Sequence, residues 1–93
     1  MKSYHVHHIL VKHLHEAEDI LRLLHSKNGK SFTELAKQFS TCASAKNGGD
    51  LGFISLGKAD SDFEEAALKL KPSEITKKPI RSRFGFHLIQ RIS

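Results

Sequence analysis

Cysteine is almost absent from this sequence, which has one, Cys42. A lone thiol excludes an internal disulfide and a multi-cysteine zinc site. It suits a reducing compartment, so a cytoplasmic location is expected. Long apolar runs are missing as well. Nothing approaches the ~20 apolar residues that cross a bilayer, so no membrane partner is expected. Residues 1–19 lack the apolar stretch and small-residue cleavage site of a secretory leader. There are no repeats, low-complexity tracts or linkers, and residues 1–93 read as one domain. A chain of 93 residues buries roughly 60–65% of the surface it exposes when unfolded, enough for one modest core.

What remains is ordinary for a globular protein: 39% apolar and 27% charged residues. The net charge is +5, with its densest group at Lys69, Lys71, Lys77, Lys78, Arg81 and Arg83. No zinc-finger spacing, RNA-recognition signature or aromatic-interleaved basic run accompanies it. The excess therefore reads as solvated surface, and no specific nucleic-acid partner is expected.

Residues 4–12 alternate, with His8, Leu10 and Lys12 on one side and His7, Ile9 and Val11 on the other. Two half-apolar faces predict a strand covered on both sides. Ala17, Ile20, Leu21 and Leu24 then recur at helical spacing, and Asn28-Gly29 supplies a left-handed stop. Ser31 and Glu34 form a capping box ahead of the stripe Phe32, Leu35, Ala36 and Phe39. Residues 40–49 suit a loop with one helical turn, and residues 51–55 a short strand. Ser61 and Glu64 repeat the capping signature before Phe63, Ala66, Ala67 and Leu70. Pro72 ends that helix. Pro79 starts an extended segment, and Phe84-Gly85-Phe86 leads into a last strand reaching Ile92. This order predicts an α+β fold with a mixed or antiparallel sheet.

Five blocks carry a resemblance: HHILVK (7–12), FTELAKQFS (32–40), GGDLGF (48–53), FEEAALKL (63–70) and FGFHLI (84–89). In this order they resemble the parvulin family of peptidyl-prolyl cis/trans isomerases. The resemblance implies a four-stranded antiparallel sheet, flattened like an opened half-barrel and surrounded by about four helices. The substrate groove then lies on the concave face. His8 and His87 match the family's paired histidines at the floor of the site, and Cys42 the position usually held by cysteine or aspartate. Leu51 and Phe63 match the apolar residues that hold the proline ring, and Phe84 another wall position. Ala59 stands where the family usually has methionine, which predicts a wider pocket and weaker binding unless Lys58 or a shifted loop fills the gap.

The implied partners are proline-containing polypeptides, including unfolded or nascent chains, bound by a monomer without cofactor. Lys12 is the sole lysine or arginine near the loop of residues 13–15. A phosphate dianion is better matched by several cations, so no phosphate requirement is expected. Paired histidines resist double protonation, which predicts falling activity below about pH 6.

Plainer readings stand beside these. His8 and His87 serve equally well as scaffold, and Cys42 with distant histidines is also the pattern of a cysteine hydrolase. A parvulin-like groove that only holds extended chains, as a chaperone does, fits the same blocks. His5 and His7 share a strand face with His13 and His15 nearby, but no cysteine or carboxylate completes a recognisable metal-ligand spacing, so no functional metal is expected. Gly48, Gly49, Gly52 and Gly57 read as turn and bulge positions, not as a phosphate cradle.

Overall fold

The computed structural model describes residues 3–26 and 30–93. The expected stop at Asn28-Gly29 lies outside them. The chain runs β1 (Ser3–Val11), α1 (Leu14–Leu24), α2 (Phe32–Phe39), a 3-10 turn (Ala43–Asn47), β2 (Asp50–Ser55), α3 (Ser61–Lys69), β3 (Ile80–Ser82) and β4 (Gly85–Arg91). All pairings are antiparallel, in the order β2-β1-β4-β3. This is the expected α+β architecture, with three α-helices and the short 3-10 turn around one open sheet. No helix among the described residues is long and apolar enough to cross a membrane.

The alternation of β1 has its predicted consequence: each face of the strand is covered. Ile9 and Val11 join Ala17, Ile20 and Leu21 of α1, Phe32, Leu35 and Ala36 of α2, and Leu88 in one apolar cluster. Tyr4 and Val6 join Phe63 and Ala67 of α3 and Ile89 in a second, on the other face. Leu88 and Ile89 are consecutive on β4, so the same period-2 rule divides them between the clusters.

Ser31 caps α2 as expected: its hydroxyl accepts from the Glu34 amide at 3.2 Å, and Glu34 accepts from the Ser31 amide at 3.2 Å. The start of α3 differs. Its N-cap is Asp60, whose carboxylate accepts from the Asp62 amide, and Ser61 is the first helical residue. Glu64 is thereby freed for longer-range work, accepting from the Tyr4 hydroxyl and the Gly57 amide, each at 3.0 Å. These bonds tie α3 to β1 and to the loop after β2. Tyr4 titrates above its ordinary range, first through burial and then through Glu64. At the other end of α3, the Arg91 guanidinium donates to the Leu68 and Leu70 carbonyls, which satisfies carbonyls that the helix end leaves free.

The chain between β1 and α1 is shorter than expected. His13 is the N-cap of α1 and accepts no loop residue after it, so His15 lies in the helix. At the far end β4 stops at Arg91, one residue before the predicted limit.

Candidate functional site

The residues singled out in sequence meet on the α3 side of the sheet. His8 of β1 pairs with Ile89, and His87 of β4 pairs with Leu10. The two histidines are therefore diagonal neighbours on adjacent strands, pointing to the same face. Their rings stack, with centroids 5.2 Å apart and planes inclined by 22°. Their Nδ1 atoms lie 3.0 Å apart. Both side chains are buried.

Such a contact constrains protonation. One Nδ1 must donate and the other accept, so the rings hold complementary tautomers. Two imidazolium ions would turn two N–H groups toward each other. Burial drives His8 down to about 4, and the neighbouring His87 adds to the shift. Burial also lowers His87, against the opposing influence of Asp60. The floor of the site is thus a neutral pair near pH 7.

Ser82, at the end of β3, continues the chain of hydrogen bonds. Its hydroxyl oxygen lies 2.6 Å from His87 Nε2 and accepts from the Phe84 amide at 3.1 Å. Ser82 carries no signal in the sequence, because a serine at a strand end is ordinary until β3 and β4 pair. His8 Nε2 is buried without a hydrogen-bond partner among the described residues.

Above the pair, Phe63 of α3 presents an edge to both rings, with centroids 5.8 Å from His8 and 5.1 Å from His87. A cavity of about 410 Å³ opens over this floor. His8, Cys42, Leu51, Ala59, Phe63, Phe84 and His87 all line it. Leu10, Ile54, Lys58, Asp60 and Arg83 complete the wall. Leu51 and Cys42 come from the region of the 3-10 turn and β2, which Gly49 brings close to β1. Gly49 has φ +84° and its carbonyl accepts from the His8 amide at 2.9 Å. A Cβ there would stand 2.3 Å from the His8 carbonyl oxygen, so only glycine fits.

Cys42 does not form a nucleophile–base pair. Three of the four imidazole nitrogens at the floor are engaged by one another or by Ser82, and the fourth, His8 Nε2, makes no bond to the thiol. A cysteine hydrolase needs that bond, so this reading loses its geometric basis.

The family model for the rotamase PPIC-type PPIase domain matches residues 8–93. The chain belongs to the parvulin family of peptidyl-prolyl isomerase domains. It is 46% identical over 84 residues to foldase protein PrsA 1 of Bacillus cereus, covering 89% of this chain and 28% of that protein. It is 47% identical over 95 residues to chaperone SurA of Nitrosospira multiformis, covering 95% of this chain and 21% of that protein. Among solved structures, the parvulin NmPin of Nitrosopumilus maritimus superposes with a TM-score of 0.83 at 39% identity, over 100% of this chain and 98% of that one. PrsA from Bacillus anthracis gives 0.91 at 40% identity, over 99% of this chain and 42% of that one. The chain therefore spans less than a third of the curated relatives it matches and nearly the whole of the small parvulin.

In this parvulin domain one neighbour of Ala59 is long enough to offset the departure. Lys58 stands beside Ala59 in the cavity wall, and the apolar stem of a lysine can cover such a surface while its ammonium stays in water. An Ala59→Met variant should therefore gain less than a fully buried methionine provides. About 1 kcal/mol, or roughly fivefold in kcat/KM, is expected. A proline-peptide assay of both proteins checks it, and an unchanged value would show that the wall is already closed.

Proposed function

We propose that this domain catalyses cis/trans isomerisation of unphosphorylated X–Pro bonds in polypeptides without a covalent intermediate. The observation that carries the reading is an apolar cavity set over a buried, neutral histidine pair, with Cys42 in its wall bonded to neither ring. Amide resonance opposes rotation by roughly 18–20 kcal/mol, and the transition state is a twisted amide with weaker C–N double-bond character. Nothing is cut, so the protein needs only to bind that twisted form better than the planar ones. Leu51, Phe63 and Phe84 hold the proline ring. The neutral His8–His87 pair, fixed by Ser82, keeps the floor rigid and uncharged, so the preceding carbonyl turns in a preorganised field of low polarity. Cys42 faces that carbonyl as a weak polar neighbour.

The same groove suits extended or unfolded chains. Phe84 stands at its rim, 61% exposed, and offers apolar surface to a polypeptide wherever it lacks proline. Relatives named foldase and chaperone support this second use.

Charge near the groove bears on the residue before proline. The sequence reading counted Lys12 alone, because it considered one loop. The fold brings Arg81 and Arg83, from β3 and the turn after it, around a cleft shared with Lys12 and Phe84. Arg83 lies 5.1 Å from the Phe84 ring centroid. A carboxylate before proline is favoured there and a cation disfavoured, and the same three cations can receive a phosphate without making it a requirement. Exchange spectroscopy on peptides with Glu, Ala, Lys or phosphoserine before proline tests this. We expect turnover of all the unphosphorylated peptides, with Glu about threefold to tenfold above Lys. Turnover of the phosphoserine peptide alone would overturn the substrate claim. Binding without any acceleration would leave only the chaperone reading.

A monomer in a reducing compartment completes the proposal. Cys42 as the single cysteine supports the compartment only, and sedimentation of the purified chain with cell fractionation checks the two parts separately.

A further inference from the structure

The second group of histidines lies on the opposite face of the sheet. His5 and His7 are two residues apart on β1 and so point the same way. The pairing of β1 with β2 runs Ser3↔Ser55, Tyr4↔Ile54 and His5↔Phe53, then shifts to His7↔Asp50. Unshifted pairing would set Asp50 opposite His8, on the groove face. One additional β2 residue between these pairs, a bulge, instead places Asp50 opposite His7. Gly52 supports the bulge with φ +69°, and its amide donates to Asp50 Oδ1 at 2.8 Å.

The outcome is two imidazoles and a carboxylate converging from two strands. Asp50 Oδ1 lies 2.7 Å from His5 Nε2 and 3.7 Å from His7 Nε2. The three ligand atoms all fall within 4.8 Å of one another. Ligands around a tetrahedral zinc ion, with bonds near 2.0–2.1 Å, stand about 3.3 Å apart. Small rotations of the side chains close that difference. His7 Nδ1 is buried with no hydrogen-bond partner among the described residues. The Gly52 amide holds the same Asp50 Oδ1 that faces both imidazoles. That bond orients the carboxylate, as outer-shell partners of metal ligands do.

We propose that His5, His7 and Asp50 form a site for one divalent transition-metal ion of the zinc class, on the sheet face opposite the substrate groove. Two imidazoles with one carboxylate suit zinc, nickel or copper and not magnesium or calcium, which take oxygen ligands. Three protein ligands leave a fourth position for water. The site is partly open, with the three side chains 20%, 18% and 40% exposed. An ion there clamps β1 to β2 at the bulge. It is adjacent to the groove but does not share its residues: His8 and Leu51, the chain neighbours of His7 and Asp50, face the other way, into the cavity.

His13 and His15 provide the internal comparison. Their rings stack with centroids 5.5 Å apart, yet they are not part of a three-ligand group among the described residues. The test is titration of zinc(II) into the full chain at pH 7.5 against a chromogenic chelator. One ion per chain is expected, with a dissociation constant below about 10 μM. His5→Gln/His7→Gln should weaken binding at least tenfold and Asp50→Asn about as much, while His13→Gln/His15→Gln should change it less than about twofold. Zinc should also raise the thermal midpoint of the parent protein but not that of His5→Gln/His7→Gln. That double variant keeps the groove intact, so its isomerase activity reports that it folds. Equal binding by the His5→Gln/His7→Gln and parent proteins, or loss of binding in His13→Gln/His15→Gln, would overturn the proposal. So would several weak ions per chain.

Discussion

Phe63→Ala is expected to be the most damaging single change in this protein, for two reasons that can be separated. Phe63 is 4% exposed and belongs to the apolar cluster with Tyr4, Val6, Ala67 and Ile89. Truncating a buried phenylalanine costs about 3–5 kcal/mol, a large share of the roughly 5–15 kcal/mol that holds a domain folded. The same ring edge also fixes both histidines and forms a wall of the cavity. Phe63→Leu separates the two effects, because it removes the ring but keeps most of the apolar volume and so costs less than truncation to alanine. It should leave the protein folded while lowering kcat/KM about tenfold. Cys42→Ser, by contrast, should keep activity within about threefold, since the thiol makes no bond to either histidine. Denaturant melts and peptide exchange on the three variants check these values. If Cys42→Ser abolished turnover in a folded protein, the non-covalent mechanism would fail.

Acid is expected to weaken the fold well before it reaches the folded site. His8 titrates near 4 in the folded protein, below the ordinary histidine value of about 6.5. As pH falls through about 6.5, the unfolded chain binds a proton at this residue and the folded chain does not. Stability is therefore full above about pH 6.5, is lost progressively toward pH 4, and levels off below that. For His8 the loss reaches about 3 kcal/mol, and His87, lowered by the same burial, adds to it with the same sign. Glu34 and Asp50, also lowered, weaken the fold only at more acid pH, in and below the carboxylate range. Urea midpoints should thus fall between pH 7 and pH 4.5. The folded fraction should meanwhile stay active below pH 6, in place of the fall expected there from the sequence, because burial holds both histidines neutral further into acid. Imidazole proton shifts that move at pH 6.5 for His8 would contradict this account.

Much of the fold was legible because short-range physics repeats in the sequence. The alternation through His7, His8, Ile9 and Leu10 and the stripe of Phe32, Leu35 and Ala36 each reflect which face is buried. The Ser31–Glu34 box is a local bond between neighbours. The similar-looking Ser61–Glu64 pair misled because Asp60 is a nearer cap and Glu64 has partners at Tyr4 and Gly57. Those partners come from other elements, and no local pattern contains them.

The site divides in the same way. Sequence by itself determined the family, through ordered blocks that carry His8, Cys42, Leu51, Phe63, Phe84 and His87, and it marked Ala59 as the departure. Only the tertiary structure decided how these residues act on one another. Strand pairing put two Nδ1 atoms 3.0 Å apart and burial made the pair neutral. β3 and the turn after it supplied Ser82 and Arg83, and a bulge turned Asp50 to the side of His5 and His7. These are contacts between residues far apart in the chain, and their energies depend on distance and desolvation. Periodicity and local motifs record which face a residue takes but not which distant partner it meets there.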